Sequence, residues 1–196
     1  KEAKEMADLM NRALVLLREG KPARLVQRTA DEEKMFRGLG LLSSKPVLYV
    51  CNVEEASADK GNEFSARVKE FAAKEGNTAV VVSAKIESEI AILPLADQKD
   101  YLDAVGLEEP GLNRVIRAGY DLLHLVTYFT VGPKEARAWT ITRGTKAPAA
   151  AGVIHTDFEK GFIRSETIGY EDYVKNNGEA GAKEAGKFRL EGKEYV

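Results

Sequence analysis

Two short apolar runs, one on either side of an amphipathic stretch, constrain the fold of this chain more than any other feature. Residues 47–51 (VLYVC) and 79–82 (AVVV) are almost wholly apolar, which is typical of strands buried on both faces of a parallel sheet. Between them lies a predicted helix over 64–75, whose apolar face is formed by Phe64, Val68, Phe71 and Ala72. Strand, helix and strand in this order predict a parallel α/β arrangement. Two strands are too few for a stable doubly wound domain, so we expect sequence outside this chain to complete the sheet.

The chain opens with a predicted amphipathic helix over residues 1–18. Its apolar side chains recur at three- and four-residue steps and form one stripe: Met6, Leu9, Met10, Ala13, Leu14 and Leu17. Gly20 and Pro22 end the helical pattern. Two and a half heptads fit both a helix packed on a domain and one arm of a coiled coil. Further helical patterns cover 30–42, 86–93, 97–105 and 112–125.

The sequence becomes rich in β-forming residues after position 127. Predicted strands cover 128–131, 138–142 and 162–168, and short helices cover 148–156, 170–175 and 179–185. Residues 188–196 read as a closing strand or hairpin. A small mixed sheet with short helices is an α+β pattern similar to a ubiquitin-like half-barrel, and it places a domain boundary near 125–127.

Composition narrows the classes of protein that remain. The 196 residues are 44% hydrophobic and 31% charged, which is ordinary for a globular protein. No run approaches 18 apolar residues, so we expect no membrane span. A single cysteine, Cys51, excludes an internal disulfide, and with only two histidines a zinc enzyme is not expected. Because the chain starts inside a predicted helix and stops inside a predicted strand, we expect it to be part of a longer protein.

The net charge of −2 hides a change of sign along the chain. Residues 54–109 carry 13 acidic and 6 basic side chains, whereas residues 113–164 carry 4 acidic and 8 basic ones. Such a split indicates two regions with different partners, although chance variation between solvated surfaces would produce it as well.

Polar loops follow both predicted strands. Asn52-Val53-Glu54-Glu55 comes directly after the first strand, and Ser83-Ala84-Lys85 comes directly after the second. Open α/β sheets bind ligands outside the carboxyl ends of their strands, so the two loops form a candidate ligand site. The alternative is that Asn52 and Glu55 only shape a turn and cap the helix that begins near residue 64.

The placement of the two loops resembles the base-reading half of a P-loop GTPase domain, where N-K-x-D is followed one strand later by S-A-K. In that family the aspartate accepts hydrogen bonds from N1–H and the N2 amino group of guanine. Here Val53 and Glu55 stand at the second and fourth positions. Adenine offers neither donor, whereas an asparagine such as Asn52 matches its N6 donor and N7 acceptor, so the departure favours ATP over GTP.

Longer stretches resemble the YchF/EngD family of Obg-like ATPases, within the TRAFAC class of P-loop GTPases. They are SAKIESEIA from Ser83, YFTVGPKEARAWTI at 128–141, GVIHTDFEKGFIRSETI at 152–168 and GEAGAKEAGKFRLEGKEYV at 178–196. The resemblance implies an α/β fold, namely part of a P-loop G domain with a parallel sheet, joined to a coiled-coil arm and an α+β ubiquitin-like (β-grasp) TGS domain. The implied ranges are 1–28 for the returning arm, 29–125 for the C-terminal half of the G domain and 126–196 for a C-terminally truncated TGS domain.

The resemblance also implies function. It implies a cytoplasmic, ribosome-associated ATPase that uses Mg²⁺ with ATP (or GTP), with no membrane partner and no DNA specificity. The implied base-binding residues are Asn52, Val53, Glu55, Ser83, Ala84 and Lys85. No G-x-x-x-x-G-K-[ST] occurs in the chain, so we expect it to contain no catalytic or metal-binding residue, to hold no tightly bound cofactor and to be inactive on its own.

The basic stretch adds a candidate contact with RNA or the ribosome. Its predicted cations within the TGS region are Lys134, Arg137, Arg143, Lys146, Lys160 and Arg164. Three aromatic residues lie in the same region: Trp139, Phe158 and Phe162. They either stack on unpaired bases or fill the core of a small sheet. The alternative function is therefore a non-catalytic module that binds RNA, the ribosome or another protein.

Overall fold

The computed structural model describes residues 2–196 and divides at Leu122/Leu123 into two compact units. The first unit contains the helices α1 (Glu2–Arg18), α2 (Ala30–Gly38), α3 (Glu63–Lys74), α4 (Ala84–Ile92), α5 (Leu95–Ala104) and α6 (Gly111–Leu122). Its strands are β1 (Leu48–Asn52) and β2 (Thr78–Val82).

The second unit consists of short elements. Its strands are β3 (Leu125–Val131), β4 (Ala136–Thr142), β5 (Ser165–Thr167) and β6 (Arg189–Glu191). Its helices are α7 (Ala147–Ile154), α8 (Thr156–Lys160), α9 (Tyr170–Lys175) and α10 (Glu179–Glu184).

One core of the first unit joins α1 to α2 through the segment between them. The buried side chains that pack together here are Leu9, Ala13, Ala23, Val26 and Phe36. The guanidinium of Arg28 covers the Phe36 ring at 4.4 Å. Helix α2 begins with a capping box, in which the Thr29 hydroxyl accepts from the Glu32 amide and the Glu32 carboxylate accepts from the Thr29 amide. The apolar stripe of α1 is only partly buried in this core, because Met10 (50% exposed), Leu14 (41%) and Leu17 (40%) remain in contact with solvent.

The parallel pair β1–β2 and a second core complete the first unit. The strands pair in register from Leu48↔Thr78 to Asn52↔Val82, and helices α3 and α6 contact both strands. The second core comes from α4, α5 and two connecting segments, and its buried side chains are Ala58, Ile86, Ile90, Leu102 and Leu107. The predicted strand–helix–strand order is confirmed, but the prediction that β1 is buried on both faces is wrong, because Val50 is 50% exposed. A two-stranded sheet gives each strand one neighbour, so less of the strand is covered than in a wide sheet.

The second unit is built around two antiparallel pairs. The β3–β4 pair runs in register from Leu125↔Thr142 to Val131↔Ala136, and β5 pairs with β6 through Glu166↔Leu190. Helix α7 packs on β4, and the Tyr128 hydroxyl donates to the Ala150 carbonyl at 2.8 Å. Among the hydrophobic residues that the structure describes in this unit, only Ala182 is buried.

Two predicted helices have different limits in the structure. The pattern over 112–125 ends as a helix at Leu122, because His124 has the left-handed φ of 52° and β3 begins at Leu125. The helix expected over 148–156 is divided into α7 and α8 at His155, whose extended backbone stops the first helix while its Nδ1 accepts from the Asp157 amide at 3.2 Å.

At the coarser level, the predicted mixture of helices and small sheets is confirmed. Among residues 2–196, no helix is both long and apolar enough to cross a membrane.

Candidate functional site

The two polar loops start side by side at one edge of the β1–β2 pair. Asn52 and Val82 are register partners, and the Val53 amide extends the pairing by donating to the Val82 carbonyl at 2.9 Å. The carboxyl ends of parallel strands meet at the same edge, so Asn52 and Ala84, which are 32 residues apart in the sequence, lie on one surface.

Asn52 connects the two loops through its side chain. Its Oδ1 accepts from the Ala84 amide at 2.9 Å, at the first residue of α4. Asn52 thus supplies the acceptor that an N-cap side chain normally provides, whereas Ser83 at the N-cap position makes no side-chain cap bond. The Asn52 Nδ2 group has no hydrogen-bond partner among residues 2–196 and remains available to donate.

The alternative role for these residues, capping the next helix along the chain, is taken by Asn62 instead. Its Oδ1 accepts from the Ser65 amide at 3.0 Å, and the Ser65 hydroxyl accepts from the Asn62 amide at 2.8 Å. Glu54, rather than Glu55, supports this turn by accepting from Asn62 Nδ2 at 3.1 Å and from the Ser57 hydroxyl. The Ser57 hydrogen bond is the main reason that the pKa of Glu54 lies below its usual value.

Two of the predicted loop side chains are buried. Val53 is 9% exposed and Ser83 is 2% exposed. The Ser83 hydroxyl has no hydrogen-bond partner within the described part of the chain, which is uncommon for a buried polar group. Val53 therefore reaches the loop surface only through its backbone.

Glu55 and Lys85 form an ion pair across the two loops. The Lys85 Nζ lies 2.8 Å from Glu55 Oε2, with the two side chains 64% and 46% exposed. The hydrogen bond to Glu55 raises the pKa of Lys85 above its usual value. The carboxylate of Glu55 is thus occupied by a cation from the neighbouring loop.

Helix α4 carries two further carboxylates that the sequence analysis did not single out. Glu87 accepts from the Gly111 amide at 2.7 Å and from the Leu112 amide at 3.1 Å, at the start of α6. Glu89 accepts from the Tyr101 hydroxyl, and this hydrogen bond raises the pKa of Tyr101 to about 12. Both partners lie more than ten residues away, so no local sequence pattern identifies them.

The residues expected to contact RNA occupy separate stretches of the second unit. Lys134 lies in the β3–β4 connection, Arg137 covers the Trp139 ring at 4.1 Å, and Lys146 pairs with Glu194 at 2.5 Å. Arg143 follows β4, and its amide donates to the His124 carbonyl at 2.6 Å.

Lys160 is the last residue of α8, and Arg164 directly precedes β5. Phe158 is 55% exposed, so the alternative that it fills the core of the sheet is wrong, whereas Trp139 and Phe162 are partly buried.

Adjacent parallel strands with polar loops at their carboxyl ends give the first unit an open α/β arrangement. Residues 125–196 match the family model described as "YchF-GTPase_C: Protein of unknown function (DUF933)". The chain is 54% identical over 178 residues to the "Ribosome-binding ATPase YchF" of Bacillus subtilis (strain 168), covering 90% of this chain and 49% of that protein. It is 53% identical to the protein of the same name from Haemophilus influenzae over 196 residues, covering 100% of this chain and 54% of that one.

A solved structure agrees with these relatives. The "Structure of the Schizosaccharomyces pombe YchF GTPase" matches 98% of this chain and 52% of its own length, with a TM-score of 0.83 and 33% identity. The chain belongs to the YchF family. It spans about half the length of the curated relatives it matches.

Proposed function

We propose that this chain supplies the base-recognition loops of a ribosome-associated P-loop NTPase that hydrolyses ATP more readily than GTP. The observation that carries the proposal is the hydrogen bond from the Ala84 amide to Asn52 Oδ1, which fixes the asparagine while leaving its Nδ2 group unpaired. Ribosome association and ATP hydrolysis are proposed because relatives at 53–54% identity are named ribosome-binding ATPases.

The orientation of Asn52 is suited to adenine. An amide oxygen has two lone pairs, and the Ala84 amide uses one of them, so a second hydrogen bond from the adenine N6 amino group is possible. The free Nδ2 group can donate to adenine N7, which completes the bidentate pairing that asparagine makes with adenine. Guanine carries an acceptor, O6, in place of the N6 donor and would face the Asn52 oxygen unfavourably.

The Glu55–Lys85 ion pair supports the same preference. Guanine recognition needs a free carboxylate opposite N1–H and the N2 amino group. In this chain the Glu55 carboxylate is held by Lys85 at 2.8 Å. We therefore assign Glu55 and Lys85 to shaping the loop, and the backbone of Val53, Ser83 and Ala84 to enclosing the base.

The same reasoning gives the proposed domains. Residues 1–28 form one arm of a helical coiled coil, for which the exposed stripe of Met10, Leu14 and Leu17 provides an apolar face. Residues 29–125 form part of a P-loop G domain, and residues 126–196 form a TGS domain of β-grasp type. Hydrolysis requires a phosphate-binding loop of the form G-x-x-x-x-G-K-[ST], which these 196 residues do not contain.

Magnesium is not assigned to any residue of this chain. Within residues 2–196, no group of three or more His, Cys, Asp and Glu side chains could hold a metal ion. In P-loop NTPases the Mg²⁺ that accompanies ATP is held by the Ser/Thr of the phosphate-binding loop and a Walker-B aspartate, so we expect this ion to bind outside the chain and the isolated chain to show no sustained turnover.

A non-catalytic binding module is the second candidate function. It is favoured by the lack of a phosphate-binding loop in the sequence, and it gives the second unit the role of contacting RNA or protein. The two candidates differ in whether the loops around Asn52 respond to a nucleotide.

Nuclear magnetic resonance titration of the ¹⁵N-labelled chain tests the proposal. We expect millimolar ATP to shift the Asn52 side-chain amide and the backbone amides of Val53 and Ala84, and GTP to shift them less. Asn52→Ala should abolish the ATP response, whereas Asn113→Ala, on the exposed start of α6, should retain it.

Replacing Lys85 with methionine releases the Glu55 carboxylate and should raise the response to GTP relative to ATP. Loops that respond to neither nucleotide would leave the binding module as the better description. An unchanged ATP-to-GTP ratio in the Lys85→Met variant would contradict our account of base choice.

A further inference from the structure

The turn between α9 and α10 is built on one pair of residues, Asn177 and Gly178. Asn177 has the left-handed φ of 56°, and Gly178 has a φ of 110°. The Asn177 amide donates to the Val174 carbonyl at 3.2 Å. The Gly178 amide donates to the Tyr173 carbonyl at 2.9 Å, which completes a Schellman motif at the end of α9. Asparagine tolerates the first conformation and glycine the second, so the turn itself favours an Asn-Gly pair.

An Asn-Gly pair is also the dipeptide most prone to lose the asparagine side-chain amide. The reaction begins when the backbone nitrogen of the following residue attacks Cγ of the asparagine, and glycine has no Cβ to hinder the approach. The chain contains seven asparagines, and Asn177 is the only one that glycine follows. Its neighbour Asn176 is followed by another asparagine and serves as a close comparison.

The structure separates Asn177 from the other asparagines in a second way. Two of them lie inside long helices, Asn11 in α1 and Asn113 in α6. Four others make side-chain hydrogen bonds, namely Asn52, Asn62, Asn77 and Asn176. Asn177 is exposed, and its carboxamide makes no hydrogen bond within residues 2–196. Its Cγ is therefore free to meet the nitrogen of Gly178.

We propose that Asn177 is a site of spontaneous covalent modification, at which deamidation follows local opening of the end of α9. The Gly178 nitrogen loses its proton to hydroxide and forms a bond to Asn177 Cγ. The Cγ–Nδ2 bond breaks, and the departing nitrogen takes up a proton from water and leaves as ammonia. A water molecule then opens the succinimide ring at either carbonyl, which gives aspartate or isoaspartate. Solvent supplies every co-reactant.

Opening of α9 controls this reaction because the folded turn protects the nucleophile. The Gly178 N–H is held by the Tyr173 carbonyl, and its nitrogen cannot attack until that hydrogen bond breaks. Helix α9 has six residues, and none of them is buried. The ring of Tyr170, at its first residue, stacks on Phe129 of β3 at 5.5 Å, and both rings are more than half exposed. An element with so few buried contacts opens at a small cost in free energy.

The modification changes the end of α9 in two ways. Either product places a negative charge beside the last carbonyls of the helix, which already carry negative partial charge. Isoaspartate also adds a methylene group to the main chain before Gly178, which moves the Gly178 amide away from the Tyr173 carbonyl. We expect α9 to open more readily in the modified chain. This chemistry needs neither nucleotide nor ribosome, so it goes beyond the proposed function and does not depend on it.

Peptide mapping by mass spectrometry tests the site. The 196-residue chain is incubated in mildly alkaline buffer and sampled over time, with electron-transfer fragmentation to distinguish isoaspartate from aspartate. We expect position 177 to be converted at least about tenfold faster than any other asparagine, with isoaspartate among the products. Asn177→Gln should remove this conversion, because a glutamine side chain would have to close a larger and less favourable ring.

Two exposed aromatic residues provide a matched pair of variants for the role of α9. Tyr170→Ala removes the ring that holds α9 to β3 and should speed conversion of Asn177 about threefold or more, because the helix opens more often. Phe158→Ala removes a ring of similar exposure on α8 and should leave the rate within about 1.5-fold of the unmodified chain. In urea that unfolds the chain, all three proteins should convert Asn177 at one common rate, faster than in the folded state.

Each measurement has an outcome that would overturn the inference. Conversion of another asparagine as fast as Asn177, or aspartate as the sole product, would exclude the succinimide route at this site. Equal rates in the folded and unfolded chains, or equal effects of Tyr170→Ala and Phe158→Ala, would exclude control by α9. The isoaspartate form, purified by ion exchange, should exchange its α9 amides faster than the unmodified chain and its β2 amides at the same rate. Unchanged exchange in α9 would contradict the expected loosening of the helix.

Discussion

Tyr101 illustrates how one hydrogen bond changes the behaviour of a single residue. Its hydroxyl donates to Glu89, and both the hydrogen bond and the nearby negative charge favour the protonated phenol. Partial burial acts in the same direction, and together these effects raise the pKa of Tyr101 to about 12. The contact joins α5 to α4, the helix that begins at the Ser83-Ala84-Lys85 loop.

We predict that Tyr101 ionises after an ordinary tyrosine when the pH is raised. Because its folded-state pKa lies above the unfolded value near 10, the stabilising contribution is complete below about pH 10 and is lost as the pH rises towards 12. Absorbance at 295 nm during an alkaline titration measures the ionisation. Glu89→Gln should move one transition to lower pH, and Tyr101→Phe should remove it.

A titration curve that is the same in the Glu89→Gln variant as in the unmodified chain would contradict the assignment. Tyr49 and Tyr128 also have raised pKa values, the first chiefly by burial with help from Glu75 and the second by burial. Neither depends on Glu89, so their transitions serve as internal references.

At the scale of elements, apolar periodicity predicted most helices and strands to within a few residues. The predicted strand at 79–82 is observed at Thr78–Val82, and the predicted helix at 64–75 is observed at Glu63–Lys74. Both have strong local signals, namely a run of branched apolar residues for β2 and an apolar face with a capping Asn62 for α3. The adjacency of the two loops also followed from sequence, because parallel strands place their carboxyl ends together.

Contacts between distant elements could not be predicted. Nothing in the sequence around Glu87 indicates that its carboxylate meets the amides of Gly111 and Leu112, since this depends on how α6 packs on β2, the strand that precedes α4. The exposure of β1 was likewise missed, because an apolar strand has the same sequence whether one or both of its faces are covered. The division of one predicted helix into α7 and α8 depends on the conformation of His155, a residue with no strong turn preference.

The start of α6 provides the prediction at this scale. Glu87 accepts hydrogen bonds from two of the amides that a helix N-terminus leaves unpaired, and its negative charge is favourable there. We expect Glu87→Ala to lower the free energy of unfolding by about 1–3 kcal/mol, as measured by urea denaturation. Glu70→Ala, which removes only an exposed ion pair with Lys74, should cost less than about 0.5 kcal/mol.

Equal losses in the two variants would argue against the capping role of Glu87. A complementary variant is Gly111→Ala, because an added Cβ would lie 2.9 Å from Glu87 Oε1 and 3.0 Å from Val82 Cγ1. Its destabilisation should depend on Glu87, so combining the two substitutions should cost less than the sum of the separate losses.

At the scale of the whole molecule, buried apolar side chains are distributed unevenly between the two units. Among residues 2–196, those with less than one-tenth of their surface exposed fall almost entirely before residue 123, in the two clusters around Phe36 and Ile86 and along β2. In the second unit, Ala182 is the only hydrophobic residue among those described that is buried to this extent. Local stability follows the density of buried apolar contacts, so the two units should open with different free energies.

Hydrogen exchange read by mass spectrometry measures this difference directly. We expect the amides of β2 and α4, which adjoin the Ile86 cluster, to exchange at least about tenfold more slowly than those of β5 and β6 in their three-residue pairing. Ile86→Ala should speed exchange in β2 and α4 because it removes the centre of that cluster, whereas Ile163→Ala, at a side chain 80% exposed, should leave their exchange unchanged. Uniform protection across both units would mean that they open together, and the uneven burial would then not control local stability.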